Sequence, residues 1–128
     1  MNLGEYFENT KGTGVMATAD SEGRVDAAIY ARPHILEDGT LAVVMRDRLT
    51  HHNIQSNPHA AYLFIEDGPG YSGKRLFLTK IREEKDSELA EQLKRRCLTP
   101  EEDKAKGPKF VVVFKIDKEL PLIDAGGQ

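Results

Sequence analysis

The chain has 128 residues, room for one domain with a real core but not for two. Hydrophobic residues make up 39% and charged residues 30%, the balance of a soluble globular protein, and a net charge of -3 offers no global basic field to nucleic acid or an anionic membrane. No apolar run approaches a membrane span, no charged-then-apolar leader opens the chain, and the single cysteine, Cys97, cannot close an internal disulfide, so a cytoplasmic setting is expected.

Leu3, Tyr6 and Phe7 stand at helical spacing, which predicts a short amphipathic helix between Met1 and Thr10. Gly12 and Gly14 then break it. Gly14 to Ala19 reads as a strand, Asp20-Ser21-Glu22-Gly23 as a turn, and Arg24 to Arg32 as a second strand. Alternation puts Val25, Ala27, Ile29 and Ala31 on one face of that strand and Asp26, Ala28, Tyr30 and Arg32 on the other. Strands this close in sequence should pair as an antiparallel hairpin. Pro33 lacks an N–H and belongs at a strand end or a sheet edge. Glu37-Asp38-Gly39-Thr40 makes the next tight turn.

The stretch from Leu41 to Asp67 organises the rest. Leu41–Met45 and Ala60–Ile65 are short apolar runs with β-branched and aromatic content, and they read as buried strands. Between them lies a helix of about two turns that Asn57-Pro58 closes, because a proline drives its predecessor out of the α region. Thr50 is the expected N-cap, and Arg46 and Arg48 stand just before it. Unpaired N–H groups and a positive dipole end make the Arg46–Thr50 corner a natural place for a phosphate.

Gly68, Gly70 and Gly73 flank Pro69 and Tyr71 in a loop, and a long strand follows from Lys74 to about Glu83. Asp86 or Ser87 caps a helix running through Cys97, acidic at its start and basic at its end, as the helix dipole favours. Thr99-Pro100-Glu101-Glu102 is a sharper helix start: an N-cap, a proline at the first helical position and a glutamate at the third. Gly107-Pro108 ends that helix, and Phe110 to Ile116 is a final, nearly all-apolar strand of the kind buried on both faces or set in a barrel wall. Six strands joined mostly by tight turns predict a mainly β protein, a six-stranded antiparallel barrel with short flanking helices.

In their order and spacing these pieces resemble the pyridoxamine-phosphate-oxidase-like family of FMN-binding split β-barrels. The likeness runs from about Gly14 to Ile116. It is carried by the Gly14–Asp20 and Arg24–Arg32 hairpin and by the strand Leu41–Met45, the helix around Asn53-Ile54, Asn57-Pro58 and the strand Ala60–Ile65. The resemblance implies a homodimer holding FMN at the subunit interface. The flavin phosphate would meet Arg46, Arg48, Leu49, Thr50 and His51, and the ring would lie along Tyr30, Ala31, Arg32, Val44 and Met45. Lys74 and Arg75 would reach the FMN of the partner subunit. Two departures matter. Many members carry a lysine where this chain has Thr50, and the chain lacks the C-terminal arginine and tryptophan segment that true pyridoxamine phosphate oxidases use. Vitamin B6 oxidation is therefore not expected.

The resemblance points to an oxidoreductase in which FMN carries hydride or electrons while the protein binds, orients and tunes it. A nicotinamide or a protein is the electron donor, and no catalytic residue stands out. A non-enzymatic FMN electron carrier, a haem-binding barrel and a barrel without cofactor are the alternatives. His51 and His52 point about a hundred degrees apart on a helix, and no Cys/His spacing of the zinc type occurs, so no metal site is expected. Cys97 is read as a small core residue without a role.

Overall fold

Local turn chemistry and apolar alternation together lay down a single curled sheet. The computed structural model describes residues 2–93 and 99–124. Helix α1 (Leu3–Asn9) starts at Asn2, whose side chain accepts the Glu5 N–H, and it drops Phe7 into the core. Strands β1 (Gly12–Ala19) and β2 (Val25–Tyr30) form the expected antiparallel hairpin. At its turn the Asp20 carboxylate accepts the N–H groups of Glu22 and Arg24, both at 2.9 Å. After Pro33 comes β3 (His34–Ile35), followed by β4 (Leu41–Arg46), α2 (Leu49–Ser56), β5 (His59–Glu66) and β6 (Gly73–Lys85). The short helices α3 (Glu88–Leu93) and α4 (Pro100–Ala105) precede β7 (Lys109–Pro121).

Seven strands, not six, make one antiparallel sheet in the order β2-β1-β5-β6-β7-β4-β3. The extra one, β3, is too short to show periodicity: His34 and Ile35 pair with Ala42 and Leu41 once Pro33 has ended the previous strand. Helix α2 touches β1, β2 and β4, which stand toward opposite ends of the strand order, so the sheet curls and α2 spans its open side. Inside lie Met16, Leu41, Val43, Met45, Tyr62, Phe64, Leu76, Leu78, Phe110, Val112 and Phe114. On the outer side, α3 packs Ala90 against Ala42, Val111 and Val113. The last strand is thus buried on both faces, as its unbroken apolar run requires. The helix ending at Cys97 is described only as far as Leu93, and Cys97 lies outside the described residues. The Thr99 capping box is present: Thr99 accepts the Glu102 N–H while Glu102 accepts the Thr99 N–H. Among the described residues no helix is long and apolar enough to cross a membrane.

Two devices fix the parts that frame the open side. Tyr62, wholly buried, sends its hydroxyl past Gly14 to donate to the carbonyls of Ala31 (3.1 Å) and Tyr30 (3.4 Å). A Cβ on Gly14 would overlap that hydroxyl, so only glycine lets β1 pass. Under α2, the buried His51 ring stacks on Phe110 with centroids 3.9 Å apart, and its Nε2 lies 3.1 Å from Glu83 Oε2. Glu83 Oε1 also accepts from Gln55 (2.9 Å) and Lys80 (2.6 Å). Burial alone would raise the Glu83 carboxyl, but the hydrogen bonds from Gln55, Lys80 and His51 and the His51 charge outweigh it. They hold the carboxyl at about 2 against an ordinary 4.5.

Two outcomes follow for stability. Gly14→Ala should lower unfolding stability by about 1–3 kcal/mol in urea titration, and an unchanged midpoint would refute the close approach. A carboxylate whose folded pKa is depressed stabilises above its unfolded value and loses that contribution as pH falls through the folded one. Glu83→Ala should therefore cost about 1–2 kcal/mol at pH 7, partial exposure reducing the full linkage value. That difference from the wild type should shrink as pH drops from 4.5 toward about 2; a gap independent of pH over that window would contradict the assignment.

Candidate functional site

The N-terminal end of α2 opens into a cleft of about 540 Å³ between β2 and β4. Alternation along β2 turns Asp26, Ala28 and Tyr30 toward the cleft; Val25, on the strand's other face, is 85% exposed, while Ile29, 72% exposed, borders the cleft as well. Val43, Val44 and Arg46 come from β4, and Arg48, Leu49 and Thr50 from the start of α2. Leu93 of α3 and Lys106, the C-cap of α4, line it as well.

The start of α2 differs from the expectation in one respect. The N-cap is Arg48, not Thr50. A tight turn, with the Arg48 N–H on the Arg46 carbonyl at 2.9 Å, leaves the extended backbone that a cap needs at position 48 (φ -131, ψ -174). No cap side chain takes the first-turn N–H groups. Thr50 instead lies buried within the first turn, and its hydroxyl donates to Asp26 Oδ2 at 3.5 Å.

The two arginines before the helix have different employment. Arg46 donates from Nη1 to the Gly107 carbonyl (2.9 Å) and from Nη2 to Asp103 Oδ1 (2.5 Å). Its guanidinium is spent on holding the end of α4. Arg48 is exposed, and its guanidinium donates to the adjacent Asp47 carbonyl at 3.1 Å. Arg48 is therefore the arginine at the helix start whose charge faces outward.

Of the remaining residues singled out in the sequence, Tyr30, Ala31, Arg32, Val44, Leu49 and Thr50 line the cleft together with Arg46 and Arg48. The Arg32 guanidinium reaches the carbonyls of Phe7 (2.9 Å), Thr10 (3.2 Å) and Glu8 (3.3 Å), closing the C-terminus of α1. Burial pushes the Tyr30 phenol up, with the Asp26 charge adding to it and a Thr50 hydrogen bond opposing it. Met45 alternates away from the cleft into the core, and the His51 ring turns to Glu83 rather than to the cleft. Lys74 and Arg75 are not at this chain's cleft: Lys74 donates to Glu119 at 2.8 Å, and Arg75 to Pro121 and Asp124.

Asp26 and Ala28 share the Tyr30 face, so alternation could have found them. Lys106, His34 and Leu93 reach the cleft only through tertiary packing, and nothing local in the sequence marks them.

No protein-family model matches the chain, and no curated protein does. Solved structures do. An FMN-binding protein from Syntrophomonas wolfei subsp. wolfei superposes with a TM-score of 0.75 at 17% identity, over 95% of this chain and 84% of that one. An F420 reductase gives 0.69 at 17% identity, over 91% and 94%. A candidate pyridoxamine 5'-phosphate oxidase from Lactobacillus delbrueckii gives 0.66 at 18% identity, over 92% and 89%. At these identities the likeness speaks to the fold. The chain shares the split-barrel fold of these proteins.

Proposed function

We propose that the chain binds FMN in the cleft at the start of α2 and acts as a flavin-dependent oxidoreductase on a small second reactant, as a homodimer. The observation that carries this reading is the helix start: uncapped N–H groups with Arg48 beside them, opening into a cleft of about 540 Å³. A flavin fits these residues. The phosphate would be held by the first-turn N–H groups and Arg48, where dipole and charge both favour an anion. The ring would lie in the slot between β2 and Val44, with the unpaired outer edge of β2 offering backbone groups to its polar side. Bound there, FMN supplies hydride or single-electron transfer, and the protein's part is to hold the ring and limit water around it.

Solved proteins of this fold that bind FMN or carry the name F420 reductase support a flavin. A second copy is supported by β2, an edge strand whose outward face exposes Val25, Ala27 and Ile29. Haem is disfavoured by the ligand set. His34, the histidine at the cleft among the described residues, has Nε2 2.6 Å from the Leu93 carbonyl and Nδ1 3.6 Å from Glu8.

FMN titrated into the purified protein should develop bound-flavin absorbance and raise the melting temperature. Arg48→Ala should weaken FMN by about 10- to 100-fold, the worth of a charge-assisted contact of about 1.5–3 kcal/mol. Full affinity in that variant would reject the phosphate site. Turnover with NAD(P)H and a small acceptor separates an enzyme from a carrier, since a carrier shows none. Val25→Glu should convert a dimer to a monomer in light scattering; a wild-type protein that is monomeric with FMN bound would remove the dimer from the proposal.

A further inference from the structure

Lys106 is the cation in the cleft that the flavin reading leaves unused. It caps the C-terminus of α4 and lines the same cleft as Leu93 and the start of α2. Its position is not left to chance. Arg46 grips the residues on both sides of it, with the Gly107 carbonyl at 2.9 Å and the Asp103 carboxylate at 2.5 Å. Lys109, buried at the start of β7, holds the same Asp103 carboxylate at 2.7 Å. Among the described residues no carboxylate or carbonyl takes the Lys106 ammonium, while Lys104, two positions back on α4, is exposed and outside the cleft.

Charge in the cleft is out of balance. Arg46 has Asp103 as its counter-charge, and a cofactor phosphate would supply one for Arg48. Asp26, the one carboxylate lining the cleft among the described residues, already accepts the Thr50 hydroxyl. A partly buried lysine that lines a cleft with no carboxylate of its own among the described residues is stabilised by an incoming anion and has little to offer a neutral ligand. Leu93 and Leu49, which line the same cleft, supply apolar surface for the body of such a ligand.

We infer that Lys106 is a specificity-determining residue, and that it selects as second reactant a small amphipathic anion, an apolar body ending in a carboxylate or a phosphate. This inference rests on the flavin reading above. Once FMN occupies the slot, the second reactant must stack against its exposed face, and Lys106 overlooks the same cleft from the α4 side.

The test uses the FMN-loaded protein and three small aromatic probes, benzoate with its neutral isostere benzamide, and phenyl phosphate, each followed by the shift in flavin absorbance. Wild type should bind at least one of the anions about tenfold more tightly than benzamide, the worth of one charge-assisted contact. Which anion wins distinguishes carboxylate from phosphate chemistry. Lys106→Met should bring the anion-to-amide ratio to about one, and Lys106→Arg should keep it. FMN titrations of each variant, run alongside, read loss of cofactor apart from loss of selectivity. A wild type without anion preference, or a preference that survives Lys106→Met, overturns the inference while the flavin reading stands. A protein that takes up no FMN overturns the flavin reading itself, and this inference with it.

Discussion

The arrangement depends on how α2 is seated across the open side of the barrel. Eight residues are too few for a helix to persist alone in water, so its direction is dictated by what it rests on. Three contacts do this. Ile54 is buried in the core, which contributes about 1.5–3 kcal/mol. Asn53 Nδ2 donates to Thr18 Oγ1 at 3.1 Å with both residues buried, and losing either partner would strand the other at a cost of about 1–3 kcal/mol. His51, clamped between Phe110 and Glu83, prevents the helix from rolling about its axis. A rotation would swing the first-turn N–H groups off the cleft, so the aim of the candidate anion site is set from beneath the helix. None of the groups that set it lines the cleft.

The same economy explains why two arginines two residues apart end in different roles. Arg46 is the last residue of β4 and lies directly opposite Lys109 of β7. There its guanidinium joins Asp103, Lys109 and Glu91 in a network that fastens α3 and α4 to the strands. Removing one member would leave another charge buried without compensation, which is the costly way to break such a cluster. Burial, reinforced by the Arg46 charge, pushes the Lys109 amine down, whereas Asp86 acts the other way. Arg48 has left the strand and sits at the extended cap position, where its side chain projects outward. Sequence spacing alone treats these arginines as equivalent; the sheet does not.

What was legible in the sequence is what local chemistry determines. Asp20 and Gly23 specify the first hairpin, Thr99 to Glu102 specify the start of α4, and Asn57-Pro58 specify the end of α2, because each signal lies within a few residues of its effect. The uninterrupted run from Phe110 announces a strand covered on both sides, and the covering is there. The misread cap shows the limit. Thr50 has the better capping side chain, but the turn at Asp47 fixes where the helix begins, and the threonine is drawn to Asp26 on another strand instead. Arg32 lines the cleft as its position predicts and His51 does not, yet the polar contacts of both are closed by other parts of the chain. Their partners, the α1 carbonyls and Glu83, are distant in sequence and could not be paired with them in advance. Register irregularities in β6 at Phe77/Leu78 and Lys80/Arg82 were equally silent, since a bulge answers to the partner strand.

One strand joins the two halves of the functional reading. Along β2 the side-chain period of two sends Asp26, Ala28 and Tyr30 to the cleft and Val25 and Ala27 outward, with Ile29 exposed yet bordering the cleft, so both surfaces depend on the same register. A slip of one residue would exchange them, exposing Tyr30 and turning Ile29 inward. Tyr62 opposes that slip, because its hydroxyl must find the carbonyls of Tyr30 and Ala31 at the strand's end and can reach them only past Gly14. A second copy resting on the outward face would then lie one strand away from the flavin slot. It would shield the slot from water and stiffen an edge strand that is paired on one side alone. If FMN and a second copy bind as proposed, cofactor retention and association would be coupled through a single residue pair in the barrel wall.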